Sequence, residues 1–190
     1  MNSNELSLPD NERAEARPAR VGDYYLLLVP TDTAVTLAWQ RPLQRRFGGQ
    51  VTDPVHVSLQ RFVGKDEVRV RHLADTLKSS LLPYPPIPIN GRVLFPLYSQ
   101  FRREYILKCE AERPYSLVHL TRTINQILIR FKMETTFATA STWITVLEGI
   151  DDMDADYIAF PQPLFTATRL LCSQIVGTGR YRDVWQLDFG

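Results

Sequence analysis

The sequence predicts an α+β fold with two pseudo-symmetric lobes, in which antiparallel sheets flank a central groove and helices lie outside. One order of elements, a strand, a helix and a short strand with polar residues, occurs at about 24–62 and again at about 104–148. In addition, two apolar segments near the end of the chain flank Gly177-Thr178-Gly179, which is typical of an antiparallel hairpin. We therefore expect the two motif strands to face one cleft.

Size and charge limit the class of protein. The chain has 190 residues, which is enough for one sizeable domain, and 44% of them are hydrophobic. Its net charge of +1 provides no global basic field of the kind that binds long nucleic acids. Residues 1–20 are polar and can bury little, so we expect a disordered tail there and a single bilobal domain over 21–190. We expect a monomer.

Cysteine content and hydropathy indicate where the protein is found. Cys109 and Cys172 are too few and too far apart for a disulfide framework or a zinc site, so we expect reduced thiols. The sequence contains no apolar run of transmembrane length and no hydrophobic segment near its start that could act as a signal peptide. These features predict a cytoplasmic protein with no membrane partner.

The first elements follow from apolar runs and helix-ending residues. An apolar run at 24–29 predicts a buried strand. Thr31 or Asp32 can cap a helix after it, because a short polar side chain accepts a hydrogen bond from the first turn. This helix is expected to end at about Phe47, before a Gly-Gly pair.

A strand around His56 and a helix over 66–82 come next. A proline-rich segment at 83–88 predicts a rigid crossing, and strands are expected at 91–97 and 104–110, joined by a basic turn. The helix has an apolar stripe at helical spacing, made of Val70, Leu73, Leu77 and Leu81.

The second half repeats this pattern. A helix can begin after Pro114, a strand surrounds Trp143, an acidic loop covers 151–156, and closing strands are expected at 168–176 and 181–189. The stripe of the helix consists of Leu117, Leu120, Ile124, Ile127 and Leu128.

The two short motif strands carry residues that suit phosphate chemistry. Side chains alternate along a strand, so His56 and Ser58 share one face, as do Trp143 and Thr145. An imidazole titrates near neutral pH, and a hydroxyl can donate a hydrogen bond to a phosphoryl oxygen. The first pair therefore suggests phosphate handling, and Trp143 is the residue that does not fit this pattern.

With these motifs the chain resembles the 2H phosphoesterase superfamily, the relatives of bacterial 2′-5′ RNA ligases and cyclic phosphodiesterases. That family has a His-x-Ser/Thr-apolar motif in each of two lobes. His56-Val57-Ser58-Leu59 matches the first motif, and Trp143-Ile144-Thr145-Val146 occupies the second position with Trp in place of His. The segment from Leu171 through Gly179-Arg180-Tyr181 to Leu187 resembles the closing hairpin of the family, so the resemblance spans about 22–190.

The resemblance implies a protein that handles nucleotide or RNA ends with a 2′,3′-cyclic or 2′-5′ phosphodiester. In the family one motif histidine acts as the base, the other protonates the departing oxygen, and the two hydroxyls hold phosphoryl oxygens. Here His56 is the candidate catalytic residue, and Ser58 and Thr145 are candidate substrate ligands. Because an indole does not titrate, Trp143 predicts impaired catalysis. The resemblance implies no metal and no organic cofactor.

Three interpretations of Trp143 remain open. It could fill the core and close a dead site, or it could stack on a base, a contact worth about 1–3 kcal/mol. In the third, another residue supplies the acid, and the remaining histidines are His72 and His119. Both lie beside the apolar stripe of a predicted helix, which favours a solvated face for each.

Basic residues could extend the site at its rim, and the candidates are Arg61, Arg102, Arg103, Arg180 and Arg182. Arg61 is three residues after Ser58, so it lies on the opposite strand face unless a bulge intervenes. Arg180 and Tyr181 are the preferred pair, for a charge-assisted phosphate contact and for stacking on a base. The alternative functions are a non-catalytic RNA- or nucleotide-binding module and a protein-interaction scaffold on the same fold.

Overall fold

The computed structural model describes residues 19–81, 84–99, 102–135, 143–151 and 158–190. In chain order the elements are β1 (Asp23–Val29), α1 (Ala34–Phe47), β2 (Gln50–Val51), β3 (Val57–Val63), α2 (Glu67–Leu81), β4 (Ile87–Ser99), β5 (Glu104–Ala111), α3 (Tyr115–Arg130), β6 (Glu134–Thr135), β7 (Trp143–Glu148), β8 (Ile158–Ala159), β9 (Pro163–Ala167), β10 (Arg169–Gly177) and β11 (Arg180–Asp188). Most of the expected N-terminal tail and of the acidic loop lies outside the described residues.

The strands form two antiparallel sheets, which confirms the predicted α+β class. The first sheet has the order β11-β10-β1-β3-β6, and the second has the order β2-β7-β5-β4-β8, with β9 also paired to β4. The two-residue strand β2 belongs to the first half of the chain but pairs with β7, and β6 of the second half pairs with β3. Each half therefore extends the sheet of the other.

The helices pack through the stripes that the sequence predicts. The four stripe residues of α2 and the five of α3 are all buried in one core that includes residues of both sheets. At the start of α1, the Asp32 carboxylate accepts a hydrogen bond of 2.8 Å from the Ala34 amide, as expected of a capping residue. No helix of the described residues is long and apolar enough to span a bilayer.

The proline-rich segment differs from its prediction, because β4 already begins at Ile87 and contains Pro88. Ile87 and Ile89 are fully buried while Pro88 is exposed, which is the alternation of a strand with one face on the core. The closing hairpin agrees with its prediction, since β10 and β11 pair and Gly179 lies in the turn with a φ of 64°.

Candidate functional site

A cavity of about 590 Å³ is lined by strands of both sheets. Its volume falls in the range of about 300–1,000 Å³ that is typical of small-ligand sites. His56, Ser58, Thr145 and Tyr181 all line it, whereas Trp143 and Arg180 do not. The structure thus brings the polar groups of both motif strands to one place, apart from the tryptophan, and their roles in binding or catalysis stay predictions.

A β-bulge directly follows the motif hydroxyl in each sheet. The pairing of β3 with β1 skips Leu59, and the pairing of β7 with β5 skips Val146. Because a bulge inserts one extra residue, it changes which side chains share a face beyond that point. Arg61 and Glu148, each three residues after a motif hydroxyl, are thereby returned to the cavity side of their sheets.

Arg61 packs against Tyr25, a residue of the cavity wall. It pairs across the strands with Tyr25, which lines the cavity, and its guanidinium carbon lies 5.9 Å from the centre of that ring. Arg61 is buried, and its Nε lies 3.8 Å from Oδ2 of the buried Asp23. From the sequence, Arg61 is expected on the strand face opposite Ser58 unless a bulge lies between them. The bulge is present, so Arg61 lies on the face of Ser58, although it does not line the cavity.

His56 lies one residue before β3 and is held by a backbone contact. Its Nδ1 is 2.9 Å from the Pro54 carbonyl oxygen, which can only accept a hydrogen bond, so Nδ1 carries the proton. In the neutral ring Nε2 is then the lone-pair nitrogen that can take a proton. Burial lowers the pKa of His56, and the positive charges of Lys108 and Arg102 lower it further against the opposing hydrogen bond to Pro54. The imidazole is therefore neutral at pH 7.

Two cations line the cavity, Arg102 and Lys108. Arg102 Nη1 is bonded to Glu148 Oε2 and lies 4.0 Å from Glu104 Oε1, so its charge is balanced by carboxylates. Lys108 points from the middle of β5, directly across from Thr145 of β7. Burial lowers the pKa of Lys108, and the nearby Arg102 lowers it further.

The opposite wall of the cavity comes from the closing hairpin. Tyr181 makes an edge contact with Tyr25 at a ring separation of 6.1 Å, and burial raises the pKa of its hydroxyl. Beside it, the Ser173 hydroxyl donates to Asp183 at 2.7 Å. This wall combines an aromatic edge with hydrogen-bonding groups.

The positions of Trp143, His72 and His119 bear on the three interpretations of Trp143. Trp143 is 52% exposed and packs edge-on against Phe95 at 5.6 Å, which contradicts the one of the three interpretations in which it fills the core. His72 and His119 lie on exposed helix faces, and His119 is bonded to the Tyr84 hydroxyl. Neither histidine lines the cavity, so neither can supply the acid there.

Lys108 is the functional candidate that reasoning from the sequence missed. The search for an acid considered only histidines, and the rim candidates were only arginines. The signal was nevertheless present, because Lys108 is the single charged residue in the run Tyr105-Ile106-Leu107-Lys108-Cys109 and shares a strand face with Ile106. The described residues include no cluster of three or more His, Cys, Asp or Glu suited to a metal ion.

Comparison with solved structures places this fold among known ones. The chain is similar to E. coli LigT in complex with 3′-AMP, with a TM-score of 0.61 and 11% identity over 90% of this chain and 99% of that one. A LigT complex with NADP+ gives a TM-score of 0.56 and 13% identity over the same shares. A structure described as a phosphoesterase gives 0.56 and 14% over 89% of this chain and 99% of that one.

Neither a protein-family model nor a curated protein sequence matches the chain. The structural similarity extends over nearly the whole length of the solved proteins, so it includes both sheets of this chain. The chain therefore has the fold of LigT, as the resemblance to 2H phosphoesterases implied.

Proposed function

We propose that this protein is a 2H-phosphoesterase-like protein whose cavity takes a nucleotide or RNA end with a 2′,3′-cyclic or 2′-5′ phosphodiester. Its turnover is slower than that of an enzyme with two motif histidines. The observation that supports this most is the convergence of His56, Ser58 and Thr145 on one cavity of suitable size. The fold adds support, because solved structures of E. coli LigT hold nucleotides and phosphate.

In this proposal the phosphoryl group lies between the two sheets. Ser58 comes from the first sheet and Thr145 from the second, so their hydroxyls can donate to different phosphoryl oxygens. Arg102 also lines the cavity, where its N–H groups can donate hydrogen bonds although Glu148 and Glu104 balance its charge. His56, neutral and with Nε2 free of the bond to Pro54, takes the proton from the attacking water or hydroxyl.

In this proposal the nucleobase and any further nucleotides of an RNA substrate lie at the rim of the cavity. Tyr181 offers a ring beside the cavity, and Trp143 offers a half-exposed indole on the strand face of Thr145 but outside the cavity. Stacking on either ring is tolerant of base identity and is worth about 1–3 kcal/mol. Arg180 is exposed at the start of β11, where it can contact a further phosphate. This arrangement favours short RNA or nucleotides with little sequence preference.

Removal of both motif hydroxyls tests the binding part of the proposal. Ser58→Ala with Thr145→Val is expected to weaken 3′-AMP binding about tenfold or more per hydroxyl, because a hydrogen bond to a charged group is worth about 1.5–3 kcal/mol. Isothermal titration calorimetry with 3′-AMP at low and high salt measures this, and wild-type binding is expected to weaken with salt.

Ser79→Ala is the matched control, since Ser79 is exposed on α2. Wild-type protein that binds neither 3′-AMP nor 2′,3′-cyclic AMP would overturn the proposal in favour of a protein-interaction scaffold. Binding that the double variant leaves intact would place the phosphate elsewhere. Binding without any hydrolysis would favour the non-catalytic module, which the loss of a motif histidine at Trp143 supports.

Restoration of the second motif histidine tests the catalytic part. Trp143→His is expected to raise the rate of 2′,3′-cyclic AMP hydrolysis by about tenfold or more. The smaller imidazole lacks the ring contact that holds the indole against Phe95 outside the cavity, and it lies two residues before Thr145, as His56 lies before Ser58. Trp143→Phe is the control, because it removes the indole without adding a titrating group. An equal gain in both variants would show that only the bulk of the indole matters.

A further inference from the structure

Lys108 lies in the middle of β5 with its side chain on the cavity face. Its strand neighbours Leu107 and Cys109 point the other way and are completely buried, while Lys108 is partly buried and lines the cavity. Its register partner is the motif residue Thr145. The ammonium group is therefore presented beside the second motif hydroxyl, inside the same cavity as His56.

The charge of Lys108 has no carboxylate partner in the part of the chain that the structure describes. Among the described residues its ammonium group makes neither a hydrogen bond nor an ion pair, whereas the neighbouring Arg102 is held by Glu148 and Glu104. A partly buried cation without a partner is unfavourable, and an anion that enters the cavity relieves this cost. A phosphodiester, with one negative charge and two unesterified oxygens, is an anion of the required kind.

The pseudo-symmetry of the fold shows that this charge is specific to one half. In the first sheet the residue across from the motif hydroxyl Ser58 is Leu27, which is apolar. In the second sheet the corresponding residue across from Thr145 is Lys108. The half whose motif lacks a histidine is thus the half that presents a titratable ammonium group at the cavity wall.

We propose that Lys108 binds the phosphoryl group and donates the proton to the departing ribose oxygen, the task for which the second motif has no histidine. This inference rests on the proposed function and adds a second proton-transfer group to it. It assigns this task to a residue that lines the cavity, whereas Trp143 does not.

The step balances without any further reactant. Nε2 of His56 removes a proton from water as the water oxygen forms a bond to phosphorus, and the bond from phosphorus to one ribose oxygen breaks. Nζ of Lys108 gives its proton to that oxygen, which leaves as a hydroxyl, and the product is a phosphomonoester. Afterwards the imidazolium loses its proton to solvent and the neutral amine regains one, so both groups return to their starting forms.

The surroundings of Lys108 suit a proton donor. Its lowered pKa, caused first by burial and then by Arg102, makes the ammonium group a stronger acid than that of an exposed lysine. The titratable and charged groups that line the same cavity are Tyr25, Asp53, His56, Arg102, Glu148, Tyr181 and Asp183. Glu148 is engaged by Arg102, so the proton of Lys108 remains available to the substrate.

Lys108→Arg separates proton donation from charge. Arginine keeps the positive charge but does not release its proton, since its pKa exceeds about 12. We expect kcat for 2′,3′-cyclic AMP to fall by about 10²-fold or more with KM nearly unchanged, and the alkaline limb of the pH profile to disappear. With bis(p-nitrophenyl) phosphate, whose leaving group needs no proton, the same variant is expected to retain nearly the wild-type rate.

Two further variants complete the test. Lys108→Met removes charge and proton together, so it is expected to lose 3′-AMP affinity as well as rate. Lys78→Arg, at an exposed position of α2, is the matched control. Adding Trp143→His to Lys108→Arg is expected to recover part of the lost rate on the cyclic substrate, because the histidine supplies the missing proton.

The outcomes separate this inference from the proposed function. Lys108→Arg with wild-type kcat on both substrates, or with an equal loss on both, overturns proton donation while the proposed function stands. Wild-type protein that binds 3′-AMP but hydrolyses neither substrate also overturns it, because the donor would then be ineffective. Wild-type protein that neither binds nor hydrolyses removes the proposed function and this inference together.

Discussion

His56→Ala is expected to lower kcat for 2′,3′-cyclic AMP by about 10²- to 10⁴-fold, which is the usual contribution of a general base. His56 lines the cavity, and its Nδ1 is occupied by the Pro54 carbonyl, so Nε2 is the ring nitrogen that can act as the base. The affinity for 3′-AMP is expected to change little, because the motif hydroxyls and the cations remain. Steady-state hydrolysis together with calorimetry measures the two effects separately.

The pH dependence of the hydrolysis rate is a second test of His56 as the general base. The base acts in its neutral form, and burial keeps the pKa of His56 below its ordinary value of 6.5. Activity is therefore expected to persist as pH falls past 6.5 and to be lost only as pH passes the lowered pKa. His72→Ala, at an exposed position of α2, is the control and is expected to keep the wild-type profile. An acid limb that survives in His56→Ala would assign the base to another group.

Periodicity explains why much of the fold could be predicted. The stripes of α2 and α3 are buried as their spacing requires, because a helix side chain that must leave water repeats every three or four residues. The repeated order of strand, helix and motif strand also predicted which strands would share a cavity. Patterns of this kind depend on the residue itself and on its near neighbours, so one sequence is enough to detect them.

The rest of the site depends on pairing between distant strands. The bulges at Leu59 and Val146 are defined only by the register of β3 on β1 and of β7 on β5. No local residue pattern predicts them. They decide that Arg61 and Glu148 lie on the cavity side. The outward packing of Trp143 on Phe95 likewise depends on a contact between residues that are far apart in the chain.

Lys108 illustrates a different limit. The strand face of Lys108 could be predicted from the sequence. Its candidacy as a functional residue depends on its neighbours in space, which are Thr145 on the paired strand and His56 in the same cavity. A lysine in a strand is usually a solvated edge residue, so the residue type alone carries little information. The structure turns it into a candidate because it shows that the charge faces a cavity and has no carboxylate partner among the described residues.

Arg61→Leu is expected to lower the free energy of unfolding by about 3–5 kcal/mol, the cost of removing one partner from a buried ion pair. Arg61 and Asp23 are both buried, with Nε 3.8 Å from Oδ2, so the substitution leaves a buried carboxylate without its guanidinium. Urea denaturation at constant pH measures the change. The matched control is Arg92→Leu, which removes an exposed pair with Glu110 and is expected to cost less than about 1 kcal/mol.

The same substitution connects stability to the site. Arg61 lies over the ring of Tyr25, and Tyr25 forms the cavity wall together with Tyr181. Folded Arg61→Leu protein is therefore expected to bind 3′-AMP more weakly than wild type although residue 61 does not line the cavity. The double variant Arg61→Leu with Asp23→Leu is expected to recover part of the stability, because it removes the buried carboxylate as well. A loss in Arg61→Leu no larger than that in Arg92→Leu would show that the bulge, rather than the ion pair, holds this wall in place.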